Sequence, residues 1–294
     1  MNTYGCQSMF TPIRRMLLKP PRQAYIDQAH IDVQWQDLFY LGRPDFDLAI
    51  EEYERFVGLL EQFDFEIHYA PADQASGLDS LYIHDPLTIC RRGAILNSMG
   101  KTAREPEPEA AGQYLETLGI PILGRITDRG KLEGGDLLWV DERTLAVGQG
   151  FRTNAEGLRQ LHELLGDAVD EIIPVQLPWW TGPQDCLHLL SFISIVDKDL
   201  AVVYSRLMPV PFRQWLLERG FQLVEVPDAE YDSLGCNVLA VAPRQCVMLS
   251  GNPETQKRLE QAGAQVWTYQ GREISLKGTG GPTCLTRPIW RASE

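Results

Sequence analysis

Cys284 stands in LKGTGGPTCLTRP, where glycines and other small residues let backbone approach a ligand closely and leave the thiol unshielded. A thiol in that setting can act as a nucleophile if an acid or base of near-neutral pKa stands beside it. His188, in DCLHLLSFISIV, is the leading candidate for that partner, although a histidine on an apolar face also fits a satisfied core residue. His30, His68, His84 and His162 are weaker candidates, and His162 falls on a helical stretch. Glu133 opens EGGD, two acids bracketing Gly-Gly ahead of the apolar run LLWV, which suits either a site carboxylate or ordinary turn chemistry. Asp85 precedes Pro86, a common turn arrangement. Arg152, in FRTNAEG, reads as a helix-start residue with Thr153 or Asn154 as cap, or as a fork that clamps a carboxylate. Cys90, Cys186, Cys236 and Cys246 sit in apolar, strand-like runs and read as buried filler; Cys6 is open, and Trp179 and Trp180 read as a loop anchor.

Residues so far apart in the chain need a scaffold that gathers them. The sequence carries a weak internal repeat in which a leucine-rich helical stretch runs into a turn and then a short β-type run. The turns fall at Asp64, Gly119, Gly166, Gly220 and Gly263, 43 to 55 residues apart by subtraction. Glycine supplies the left-handed backbone that stops a helix, and Asp64 takes its place in the first copy. Each interval has room for a helix and two or three strands, and DLLWVDERTLAVG and NVLAVAPRQCVML read as hairpins. Alternating α and β units also fit a doubly wound parallel sheet of flavodoxin-like order. Hairpins between the helices point instead to a closed, propeller-like ring of five mixed α/β units. Counted from each turn, Asp85, Glu133, His188, Asn237 and Cys284 lie 14 to 22 residues on, so the ring predicts that they converge on one axis. No linker rich in Ser, Gly or Pro divides the chain, and residues 1–294 read as one domain.

Composition narrows the function classes. A net charge of −13 argues against nucleic-acid binding, which needs clustered Lys and Arg. The weakly charged stretch 175–196 is broken by Pro178, Gly182, Pro183, Asp185 and His188 and does not read as a membrane span. The opening residues lack the apolar core and cleavage site of a signal peptide, and six cysteines without a CxxC pair suit reduced thiols in a cytoplasm. Residues 32–52 mix aromatics with acids and read as a packed surface segment or as a lid.

As an ordered set, these stretches resemble the guanidino-group-modifying enzymes of the five-unit α/β propeller, the pentein fold. The resemblance runs from SMFTPIRRMLLKPP through HDP and GAILNSMGKTARE to LEGGDLLW and VGQGFRTNAEG. It continues through CLHLLS, GCNVLAV and GNPETQKRLEQAGAQV to GGPTCLTRP, and so covers nearly the whole chain. It implies Cys284 as nucleophile, His188 as general acid/base, Glu133 as the carboxylate partner of His188 and Asp85 as a guanidinium ligand. Arg152 matches an arginine that holds a substrate α-carboxylate, and Arg104 looks like a second polar contact nearby.

Arginine deiminases and amidinotransferases of this superfamily carry a second Asp two positions after the histidine, where this chain has Leu190. That departure leans towards dimethylarginine dimethylaminohydrolase. Residue 84 is His where many relatives have another polar residue. The implied partner is a small guanidino or ureido amino acid, handled by a covalent cysteine mechanism with no cofactor and no metal. Nucleic acid and membrane are excluded as partners, and a homodimer is compatible with the sequence. Amidine transfer, a citrulline-type ureido hydrolase and a non-catalytic binding protein of the same fold are the alternatives.

Overall fold

A computed structural model describes residues 3–293. Its strands form five separate three-stranded sheets. β1 (Ile13–Leu18) pairs in parallel with β2 (Glu66–Tyr69) across the helix Phe46–Leu60. β3 (Leu87–Cys90) and β4 (Gly93–Leu96) form a hairpin, and β5 (Ile122–Arg125) joins β4 in parallel after the helix Glu107–Thr117. β6 (Leu137–Asp141), β7 (Thr144–Gln149) and β8 (Glu171–Gln176) repeat the pattern around the helix Ala155–Leu165. So do β9 (Ile193–Asp197), β10 (Leu200–Val203) and β11 (Gln222–Glu225) around Val210–Glu218. The fifth copy is β12 (Val238–Ala242), β13 (Gln245–Leu249) and β14 (Gln265–Tyr269) around Pro253–Gln261. The last strand, β15 (Thr286–Arg291), closes the ring by pairing antiparallel with β1. The chain is a ring of five ββαβ units, and the doubly wound alternative is set aside because, among the described residues, no sheet exceeds three strands.

Burial explains the sequence of each unit. The first two strands are almost continuously apolar and buried, as in LTIC with GAIL and ISIV with LAVV, because neighbouring units cover them. The third strand lies outside and is half exposed, as in β2 and β8. The apolar clusters sit on the seams. Cys90 and Ile95 of the second unit pack with Leu137, Trp139 and Leu145 of the third. Val247 and Leu249 of the fifth pack with Met16 and Leu18 of the first.

Both expected hairpins form, with Arg244 in a left-handed conformation at the second turn. Gly119, Gly166, Gly220 and Gly263 all take positive φ behind their helices, as the repeat predicts. Asp64 does not join them: the first helix ends at Leu60, and a short turn through Phe63 and Phe65 leads into β2. Asn154, rather than Thr153, caps its helix, its side chain accepting from the Gly157 N–H at 2.8 Å. Among the described residues, no helix is long and apolar enough to cross a membrane.

Candidate active site

Asp85, Glu133, His188, Asn237 and Cys284 each stand just ahead of the first strand of a hairpin or, for Cys284, of the closing strand β15. The repeat therefore delivers one polar side chain per unit to the same end of the ring. Cys284 is tethered twice, by the Asn237 Nδ2 donating to its sulfur at 3.3 Å and by the His84 N–H donating to its carbonyl at 3.3 Å. Asn237 in turn accepts from the Thr283 N–H at 3.0 Å. Its side chain lies where a Cβ on Gly281 would sit, 2.4 Å from the amide carbon, so the glycine run makes room for this tether.

Glu133 is fully buried and saturated. It accepts from the Gly100 N–H at 2.8 Å, the Lys101 N–H at 3.3 Å, Arg152 at 3.2 Å and His188 Nε2 at 2.7 Å. Asp85 accepts from the Gly135 N–H at 2.9 Å and from Arg104 at 2.6 Å, which leaves lone pairs on both oxygens. Arg104 is largely committed elsewhere, to both oxygens of Glu107 and to the Tyr82 carbonyl. A Cβ on Gly135 would lie 2.3 Å from His188 Nδ1, and one on Gly134 would lie 2.4 Å from the His84 carbonyl. The Gly-Gly of EGGD is thus the gap through which the imidazole and the Asp85 loop approach. Asp136, the other acid of the motif, accepts from the Leu189 N–H at 2.9 Å and so anchors the histidine turn.

A cavity of about 320 Å³ opens beside these groups, with Cys284, His188, Asp85, Arg104 and Arg152 in its wall. That is the scale of a small-ligand site. Glu133 lies behind the wall and reaches the cavity only through His188 and Arg152. Another cavity, of about 260 Å³ beside Lys19 and Tyr114, has neither thiol nor imidazole in its lining.

Cys186, Asp79 and Lys101 are among the wall residues that were not assigned to the site from sequence. Cys186, read as apolar filler, lies in the loop ahead of β9, with its sulfur 3.7 Å from His188 Nδ1. The i, i+2 spacing of Cys186 and His188 was the available signal. Asp79 and Lys101 pair at 2.5 Å, and Lys101 also donates to the Leu38 carbonyl at 2.7 Å. Within residues 32–52, only Leu38, Phe39 and Leu41 reach the cavity, where Leu41 is pinned by its N–H to the Lys277 carbonyl at 2.7 Å. Trp179 and Trp180 are exposed and meet Phe151 and Tyr231 edge-on, outside the cavity wall.

Electrostatics distinguishes the two thiols. Burial, with Asp85 and Cys186 nearby, pushes the Cys284 thiol up to about 12. Burial also disfavours the Cys186 thiolate, but His188 and Arg152 outweigh it and hold Cys186 below its ordinary value. Burial opposes the His188 imidazolium as well, yet Cys186, Asp85 and Asp136 hold its pKa well above the usual range. Glu133 stays well below the carboxylate range despite burial, through His188 and Arg152. The ligand-free pocket thus carries an imidazolium, a neutral Cys284 thiol and a thiolate-prone Cys186.

Ligand atoms of Asp85, Glu133 and His188 all lie within 4.8 Å of one another, which is metal-like spacing. Two of the three have little left to offer an ion: Glu133 is saturated by its donors, and both ring nitrogens of His188 are engaged.

A ring of five ββαβ units with a thiol, an imidazole and acids gathered at one end defines a pentein of the guanidino-group-modifying superfamily. The chain belongs to the arginine deiminase family, whose family model matches residues 79–211 and 208–291. It is 26% identical to an uncharacterized protein, YkgA, of Bacillus subtilis over 97% of this chain and 95% of that one. It is also 26% identical to an N(G),N(G)-dimethylarginine dimethylaminohydrolase of Pseudomonas aeruginosa, over 84% of this chain and 91% of the relative. The solved structure of a mutant Pseudomonas aeruginosa dimethylarginine dimethylaminohydrolase with citrulline bound superposes with a TM-score of 0.76. That match has 22% identity and covers 94% of this chain and 98% of the other, a likeness of fold. Family and relatives together support an enzyme that hydrolyses or transfers guanidino groups.

Two outcomes test this geometry. Gly135→Ala should displace the His188 ring by about an ångström, enough to lower turnover roughly 100-fold; an unmoved ring in the variant's crystal structure would refute the close-approach argument. Iodoacetamide near pH 7 should alkylate Cys186 before Cys284, because the thiolate is the reactive form and Cys284 titrates only near pH 12. Peptide mass spectrometry reads the order, and prior labelling of Cys284 in the ligand-free protein would reverse the assignment.

Proposed function

We propose that the protein hydrolyses the guanidino, or the related ureido, carbon of arginine or an arginine derivative through a covalent intermediate on Cys284, in the manner of a dimethylarginine dimethylaminohydrolase. The observation that carries this reading is the joint presence of Cys284, a His188–Glu133 pair and Asp85 around one small cavity. A protein that only binds ligands has no use for a tethered thiol beside a buried imidazole–carboxylate pair.

Asp85, with lone pairs to spare, is the guanidinium ligand. Glu133 has none to spare, so it acts by holding His188 rather than by touching substrate. The elevated Cys284 pKa assigns the substrate a part in its own activation. A guanidinium seated against Asp85 brings a positive charge next to the sulfur, and the thiol releases its proton to solvent. The thiolate then forms an S–C bond to the guanidino carbon. The His188 imidazolium protonates the leaving nitrogen as its C–N bond breaks, giving a thiouronium-type intermediate. Neutral His188 next takes a proton from water, whose oxygen attacks the same carbon and releases Cys284. Arg152 contributes the cationic wall suited to an amino acid's α-carboxylate, while one of its nitrogens steadies Glu133.

Cys284→Ser should cost at least about 1,000-fold in turnover without loss of folding. The readout is a panel for ammonia, alkylamine and urea release from arginine, methylated arginines, agmatine and citrulline. Turnover undiminished in the variant would end the nucleophile assignment, and an acceptor amine required for turnover would replace hydrolysis by amidine transfer. Arg152→Ala should weaken arginine about 10- to 100-fold more than agmatine, which lacks the carboxylate. Equal losses on both would leave Arg152 only its hold on Glu133.

A further inference from the structure

Behind the catalytic end, on the axis of the ring, lies a second and smaller cavity of about 30 Å³. All five units contribute to its wall: Arg287 from the first, His84 from the second, Leu137 from the third, Ser194 from the fourth and Val238 from the fifth. Arg291 and Cys6 complete it at the end remote from Cys284. Arg287 and Arg291 are both more than nine-tenths buried, and the Nε of each has no hydrogen-bond partner. Guanidinium groups remain charged when buried.

Cys6 is the first group that offsets either charge, followed by Asp85 for Arg287, and a single thiol cannot balance two guanidiniums. Among the described residues no carboxylate lies within ion-pair distance of either guanidinium, and Asp85, whose charge Arg287 feels, is already held by Arg104. Arg291 donates to the carbonyls of Thr11 and Ala240, at 2.9 Å for the latter, and also meets the Cys6 side chain. Arg287 donates to His84 Nε2 at 3.3 Å. His84 is neutral, because its Nδ1 faces the Thr286 carbonyl at 3.0 Å and must donate there, which leaves Nε2 as a lone pair. Burial and Arg287 together push its pKa down to about 3. The Cys6 sulfur also lies 3.9 Å from the Ser8 carbonyl. The two guanidiniums also feel each other: burial lowers the Arg291 pKa most, Cys6 raises it, and Arg287 lowers it again. Two like charges taken out of water with one thiol between them are strongly disfavoured.

We propose that this axial cavity between Arg287 and Arg291 binds a small monovalent inorganic anion of the halide class. The volume suits a species of one or two water sizes and excludes phosphate or a carboxylic acid. The free Nε groups supply two donors, and the ion balances charge at the centre where all five units meet. The anion is therefore a structural fastener of the ring, separate from the reacting groups at its mouth.

Bromide, as a halide with an anomalous signal, is the direct probe. Crystals of the unmodified protein grown in sodium bromide should show one anomalous peak between the two guanidinium groups. In solution, sodium chloride titrated against sodium gluconate at constant ionic strength should raise Tm saturably, on the order of 5 °C at a hundredfold excess over Kd. Arg291→Gln should abolish that halide-specific rise. Should the variant fail to fold, the anomalous map and the titration on the unmodified protein still decide the matter. A cavity containing only water, or a Tm that follows ionic strength whatever the anion, would overturn the proposal.

Discussion

The structure of the site depends on one buried carboxylate. Glu133 has no exposed surface, and taking such a charge out of water costs several kcal/mol unless donors surround it. Two backbone amides, one guanidinium and one imidazole meet that need, and they come from three parts of the chain. Satisfying Glu133 therefore sets the position of the Gly100–Lys101 turn, of Arg152 and of His188 at once. The parallel cluster around Arg104, which links Asp85 to Glu107, sets the opposite wall. Both clusters are internally hydrogen-bonded, so their geometry is established before any ligand arrives.

Glycine is what allows charged groups to converge so tightly. Gly134 and Gly135 let the His84–Asp85 backbone and the His188 ring occupy space that any side chain would fill, and Gly281 does the same for Asn237. Each is forced by close approach rather than by an unusual φ, since none of the three has a positive value. Four positive-φ glycines, Gly119, Gly166, Gly220 and Gly263, lie elsewhere, behind the helices, where they turn the chain back into the third strand of a unit. The two groups of glycines thus serve different levels of the structure.

The two thiols divide the electrostatic work of the pocket. Cys186 shares His188 and Arg152 and thereby keeps the imidazole protonated, while Cys284 sits among acids and apolar packing and stays neutral. The same contrast explains why a cysteine beside the histidine matters here although its chain neighbours are ordinary.

The sequence by itself determined the architecture, because the repeat is carried by local physics. Apolar pairs of strands, leucine-rich helices and their terminal glycines recur at nearly even intervals, and each acts within one unit. It also singled out Cys284 by its glycine-rich approach, while Asp85, Glu133 and His188 gained their expected roles from the ordered resemblance to a family rather than from a local mark. Asp64 marks the edge of that legibility: the turn was found, but its backbone did not need the left-handed form. Only the tertiary structure decided which side chains meet. Cys186 joins the site because a loop brings it to His188, Glu133 is saturated by Arg152, His188 and two amides, and Arg287 and Arg291 line one small cavity. Those facts depend on contacts between units, and a chain read in order carries the spacing within a unit but not the rotation that closes five of them into a ring.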